Sequence, residues 1–168
     1  MNKMRLLKCS LLLTTLVIPF AHADWATRVD DDVFTGGHKA MMLGLLGSTN
    51  NVLIFDCSKS VLDIAYVEQD SSTQDIDGLP VDLVVKIDSD PIVKFDAILS
   101  RRNSTTIQAK SEDVGSITSV LKALQTAKSK VIVGIQSKAG TNQQSLTGNI
   151  YGSTASVNDF TKACEIKL

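Results

Sequence analysis

The chain has 168 residues, 17 basic and 18 acidic side chains, a formal charge of −1 at pH 7 and a hydrophobic content of 43%. That balance excludes nucleic acid or an anionic lipid surface as the principal partner, because both demand clustered positive charge. The length suits one domain that buries a core of its own without needing a metal.

Lys3, Arg5 and Lys8 precede an apolar run from Leu11 to Phe20, and Ala21-His22-Ala23 follows, with small residues at the two positions a signal peptidase must accommodate. A bilayer span needs roughly 20 apolar residues, and this run is too short. Residues 1–23 therefore read as a cleavable signal peptide and residues 24–168 as a single β-rich domain, periplasmic or secreted, with no stable membrane anchor after cleavage. Cys9 precedes the apolar run, whereas a lipid-bearing cysteine would follow it. Cleavage removes three basic residues and no acid, which takes the formal charge from −1 to −4.

Beyond the signal, short β-type runs alternate with turn residues. Trp25–Val29 is one candidate strand, and Lys39–Leu46 is apolar enough for a strand or a short buried helix. The polar cluster at 47–51 turns the chain into Val52–Cys57, so 41–57 reads as a hairpin. Val61–Val67 is a further strand. The stretch from Glu68 to Gly78 is rich in Ser, Thr, Gln and Asp, which favour turns and bury little, and it reads as the principal exposed loop. Residues 82–87 and 92–98 form β-branched runs around Asp88-Ser89-Asp90-Pro91, a second hairpin. Arg101–Ser104 reads as a polar turn before a strand from Thr105 to Ala109.

Residues 113–128 carry Val114, Ile117, Leu121 and Leu124 at spacings of three and four, the stripe of an amphipathic helix. Ser111 or Asp113 suits its cap, and Lys128 and Lys130 its C-terminal end. A strand at 131–135, a polar loop at 137–144 and a strand at 146–151 follow. A short helix over 154–164, capped by Ser153 or Thr154, ends the chain, with Val157, Phe160 and Cys164 on one side. The fold expected is mainly β: an antiparallel β-sandwich or open barrel with one internal helix and a short C-terminal helix.

Cys57 and Cys164 are the two cysteines that remain after cleavage, and an exported chain in an oxidising compartment pairs them. Two buried free thiols are the alternative. As a disulfide they staple the first part of the domain to its end.

The chemistry-bearing residues are sparse. His38 is the one histidine left, which rules out a multi-histidine zinc site; Asp30, Asp31 and Asp32 lie nearby, yet a solvated turn residue is the plainer reading. Asp75-Ile76-Asp77-Gly78 resembles part of a calcium loop, but Thr73 and Val84 occupy the positions where the first aspartate and the bidentate glutamate belong. No metal or cofactor is expected. Ser119-Val120-Leu121-Lys122 matches the bare Ser-x-x-Lys spacing on the predicted helix without companion motifs. The Gly148–Thr154 segment lacks the lysine of a phosphate-binding loop. Trp25 and Phe34 form one end of a binding face or, by the simpler reading, seal a sheet edge.

Several features in order resemble small exported bacterial proteins of the invasion-associated locus B type. They are Trp25 after the signal, the Phe34-Thr35-Gly36-Gly37 turn, the strand Val52–Cys57, the passage from Lys130 to Ile135, and the close from Gly152 to Cys164. The resemblance implies a small β-sandwich with a host-interaction or envelope role and no chemistry to carry over.

With one histidine, no free thiol and no metal spacing, the expectation is a non-catalytic binding protein acting on a protein partner, of an inhibitor, immunity or host-interaction kind. Glu68, Asp70, Asp75 and Asp77 of the exposed loop are the residues expected to meet that partner through complementary charge. The rivals are a hydrolase using paired carboxylates and a structural subunit of an envelope assembly.

Overall fold

The computed structural model describes residues 23–34 and 36–168, so all of the expected signal peptide except Ala23 lies outside the described residues. Nine strands form one antiparallel sheet: β1 (Trp25–Asp32), β2 (Gly37–Leu45), β3 (Asn51–Ser58), β4 (Val61–Gln69), β5 (Leu79–Ile87), β6 (Val93–Asn103), β7 (Thr106–Ser111), β8 (Lys130–Ser137) and β9 (Gln143–Asn149). Two helices complete it, α1 (Val114–Thr126) between β7 and β8, and α2 (Ser153–Ala163) after β9. The sheet is curled into a half-barrel, so of the two arrangements expected the open barrel is the one that forms.

The strand order is β1-β2-β3-β4-β7-β6-β5-β8-β9. Tight connections give the β1-to-β4 and β5-to-β7 meanders. The long loop after β4 lets the second meander insert in reverse, and α1 carries the chain back across it to pair β8 with β5. Within each strand, alternate residues share a face. Met42, Leu53, Phe55, Ile64, Leu83, Val85, Phe95, Val131 and Val133 thus converge on one inner core. Ile54, Ala65 and Val67, with Met41, Leu43 and Val52 against them, form a smaller cluster from the opposite parity. The run Val52–Cys57 is largely apolar because both faces of β3 are covered by apolar neighbours.

The helices fill the curl. Ile117, Val120, Leu121 and Leu124 are fully buried in it, and α1 packs on β4, β5 and β6. Val114, expected on that stripe, is exposed and Val120 replaces it, because the buried face is set by the sheet and begins a turn later. Asp113 caps α1 by accepting from Gly115 N–H and Ser116 N–H. α2 has Gly152, in the left-handed region at φ 88°, at its N-cap, and no side chain caps it. Ser153 and Thr154 instead donate to the Leu124 and Gln125 carbonyls at the end of α1, satisfying groups that the helix itself leaves open.

The opening residues of the domain hold the two ends of the sheet together. Asp24 N–H and Trp25 N–H both donate to the Tyr151 carbonyl, at 3.0 and 3.1 Å, and the Trp25 indole N–H donates to the Asn149 carbonyl at 2.8 Å. Gly44 stands directly opposite Trp25, and a Cβ there would lie 2.4 Å from the indole ring. Gly148 makes the matching allowance on β9, where a Cβ would meet the Leu45 carbonyl oxygen at 2.3 Å.

Cys57 near the end of β3 is disulfide-bonded to Cys164 just after α2, across a sequence separation of 107 and a Cα–Cα distance of 6.2 Å. Beside this link Phe55 and Phe160 meet edge to face, with centroids 6.3 Å apart.

Gly44→Ala must displace the indole and is expected to cost about 1–3 kcal/mol in urea unfolding. Replacing both cysteines by serine is expected to cost about 2–5 kcal/mol in the same measurement. A wild-type midpoint unmoved by reductant would show that the link adds nothing.

Candidate binding mouth

β4, β5, β6, β7, β8 and β9 bring their inner faces to one end of the half-barrel and leave it open. The space there is a cavity of about 490 Å³. Val81, Leu99, Ile107, Ala109 and Ile135 line it with hydrocarbon, while Tyr66, Glu68, Ser137, Asn142 and Gln144 supply its polar groups. Small-molecule sites are of this kind, apolar with a few placed polar groups, and barrel mouths commonly hold them. Tyr66 is buried on β4, and its hydroxyl lies 2.6 Å from Glu68 Oε2 and 2.8 Å from Asn51 Oδ1. Burial first, and then the Glu68 carboxylate beside it, push the phenol's pKa up, so Tyr66 stays a neutral donor.

The rim includes the segment expected to be an exposed loop, which differs from that expectation in two ways. β4 runs on to Gln69, so Glu68 is a strand residue facing the cavity, and the loop proper is 70–78. That loop is also wrapped around Arg101. The Arg101 guanidinium donates to the carbonyls of Asp70, Ser72 and Gln74 and pairs with Asp70 Oδ2 at 3.8 Å. The Arg101 backbone N–H donates to Asp77 Oδ1 at 2.8 Å. Asp70 accepts from Ser72 N–H and the Ser72 hydroxyl, and these bonds, with Arg101, hold its carboxyl below the usual range.

Asp70 and Asp77 are thus engaged in building the rim. Asp75 accepts only a long bond from Asp77 N–H, at 3.3 Å, and points outward. The sequence pattern places Arg101 in a polar turn. In the structure β6 continues to Asn103, because its bulged pairing with β7 absorbs the irregularity.

The other candidates are dispersed. His38 Nδ1 lies 3.1 Å from Asp31 Oδ1, with both side chains exposed on the β1–β2 hairpin. Ser119 donates to the Gly115 carbonyl within its own helix. Phe34 is 91% exposed near the hairpin tip while Trp25 is 1% exposed, so of the two aromatics expected to seal an edge only Trp25 does. Phe34 lies in the hairpin turn, past the last residue of β1 that has a partner strand to pack on. Among the described residues no group of three or more His, Cys, Asp or Glu side chains could hold a metal ion, and no helix is long and apolar enough to cross a membrane.

Paired carboxylates do occur, and only the strand register reveals them. Asp56 on β3 and Asp63 on β4 are direct cross-strand neighbours. Arg102 binds Asp56 at 2.9 Å, and Lys110 lies 3.8 Å from Asp63. Asp63 Oδ1 is buried and has no hydrogen-bond partner. Burial, and secondly the Asp56 charge, raise the Asp63 pKa. The two acids stand side by side on a strand pair and do not face each other across a cavity.

Comparison with protein-family models, curated proteins and solved structures found no match.

Because its folded pKa is raised, ionised Asp63 destabilises the fold at neutral pH; the penalty is present above the folded pKa and disappears below the unfolded value of 3.8. Asp63→Asn is therefore expected to raise the melting temperature at pH 7, with the gain shrinking as the pH falls through the folded pKa. A lowered melting temperature at pH 7 would show that the Lys110 attraction outweighs burial.

Proposed function

We propose that this chain is an exported binding protein, without chemistry of its own, that grips a protein partner at the mouth of its half-barrel. The supporting observation is the rim: loop 70–78 is held in one shape by Arg101 beside an open apolar cavity. A surface ordered before binding loses less conformational freedom on association. Asp75 on the loop and the apolar Leu79 at the cavity edge then offer charge and an anchor to the same partner.

The disulfide fits the oxidising compartment into which a signal peptide would deliver the chain. A periplasmic or extracellular position and an inhibitor, immunity or host-interaction role follow from this reading and from the resemblance to proteins of the invasion-associated locus B type. The hydrolase alternative draws on Asp56 and Asp63. Its support is weaker, because the Arg102 and Lys110 pairings occupy the acids, and Asp30, which lines a pocket with Asp56, is itself paired with Arg28.

The test uses oxidised 24–168 as bait in an envelope extract, followed by calorimetry with whichever purified protein is captured. Replacing loop 70–78 with a Gly-Ser linker, or Arg101→Gln, is expected to weaken that binding at least about tenfold, equivalent to 1.4 kcal/mol. Phe34→Ser, on the separate β1–β2 hairpin, is expected to leave it unchanged. Binding lost with Phe34→Ser and kept without the loop would move the partner face to the hairpin, and no captured protein would overturn the reading.

A further inference from the structure

The Tyr66–Glu68 corner of the mouth carries an imbalance of hydrogen-bonding groups that the rim does not resolve. Tyr66 has one hydroxyl proton and two oxygen acceptors within reach, Glu68 Oε2 and Asn51 Oδ1. The Asn51 amide nitrogen is engaged with Ser48 Oγ at 3.0 Å. Among the described residues Tyr66 is the only hydrogen-bond partner of the Glu68 carboxylate, and no lysine or arginine pairs with it. An ionised carboxylate accepts at about four lone-pair positions, so most of the Glu68 capacity is unspent. It lines the same cavity as Val81, Leu99, Ala109 and Ile135, and a volume of about 490 Å³ lies within the range that small ligands fill.

We infer that the mouth is a binding site for a small amphipathic amine, with its apolar body against these four residues and its ammonium group on Glu68. The geometry selects the head group. An ammonium brings three donors and no acceptor, which complements a cluster short of donors. A carboxylate of the same chain length would set a second anion against Glu68 in a partly dehydrated site and is disfavoured. The four wall residues carry no polar atoms, so they select for hydrocarbon without dictating its shape. The site lies inside the cavity whereas the proposed protein partner meets the rim, so the inference does not rest on the partner reading.

The test titrates oxidised 24–168 with decylamine, decanol and decanoate, each below its micelle concentration, by calorimetry at pH 7. Decylamine is protonated there, as lysine is. One equivalent of decylamine is expected to bind, with decanoate at least about tenfold weaker, the least that one charge-assisted hydrogen bond supplies. Glu68→Gln preserves the side chain's length and its acceptor for Tyr66. It is expected to weaken decylamine about tenfold while leaving decanol nearly unchanged. Added salt should erode the preference for the amine over the alcohol.

Amide chemical-shift mapping on the wild-type protein keeps the test valid if the variant folds poorly, and the shifts should concentrate in β4, β5, β6, β7 and β8. Equal binding of amine and carboxylate, unchanged decylamine affinity in Glu68→Gln, shifts confined to the outer face, or no binding at all would each overturn the inference. Decylamine binding kept when loop 70–78 is replaced separates this site from the rim.

Discussion

The architecture turns on the contact between the two ends of one long sheet. Nine antiparallel strands with an apolar face must curl, because a flat sheet of that width would leave its hydrocarbon in water or its edges open to other chains. The curl is held where Trp25 reaches over Gly44 to the Asn149 carbonyl while the backbone beside it bonds Tyr151. A side chain at Gly44 or Gly148 would keep these strands apart. The link also fixes where α2 begins, since Tyr151 and Gly152 lead directly into it.

Once the curl is set, the two helices have one place to go. α1 and α2 occupy the interior next to β1, β2, β4, β5 and β6, and the disulfide fastens the far end of α2 to β3. Their bulk fills one part of the half-barrel and leaves the mouth at the ends of β4, β7, β6, β5, β8 and β9 unfilled. The cavity is therefore a consequence of packing a nine-stranded curl with the two short helices found among the described residues. The same unequal filling makes Tyr66 buried and hydrogen-bonded while Glu68, two residues further along the same face, reaches open space.

Charge on this molecule is used mainly to hold loops and strands in place. Asp88, itself in the left-handed region at φ 47°, accepts from the N–H groups of Lys128, Ser129 and Lys130 and so directs the chain from α1 into β8. Asp82 on β5 takes Lys94 from β6 and Lys138 from the turn after β8. Arg101 gathers loop 70–78. Against this background Glu68 stands out, since it faces hydrocarbon and a cavity and, among the described residues, has no cation paired with it.

Much of the local structure was legible from the chain itself. The period-two runs, the stripe of Ile117, Leu121 and Leu124, the Asp88–Pro91 turn and the pair of cysteines pointed to most of the strands, both helices and the disulfide, because each depends on residues close in sequence or on the simple scarcity of thiols. Lys39–Leu46 suits strand or helix alike, and only its pairing with β1 and β3 makes it β2. The mouth was not legible. Tyr66 and Val81 look like ordinary core residues, and only the reversed insertion of β5 to β7 brings them to a shared cavity. Likewise Asp56 and Asp63 become neighbours only through the β3–β4 register, and Arg101 meets Asp70 and Asp77 only after β6 has returned beside β5. The sequence by itself determined most of the segments that form strands and helices, through alternation and local hydrogen bonding. The tertiary structure decided which side chains share a site, because strand order and curl bring together residues whose separation along the chain carries no signal of contact.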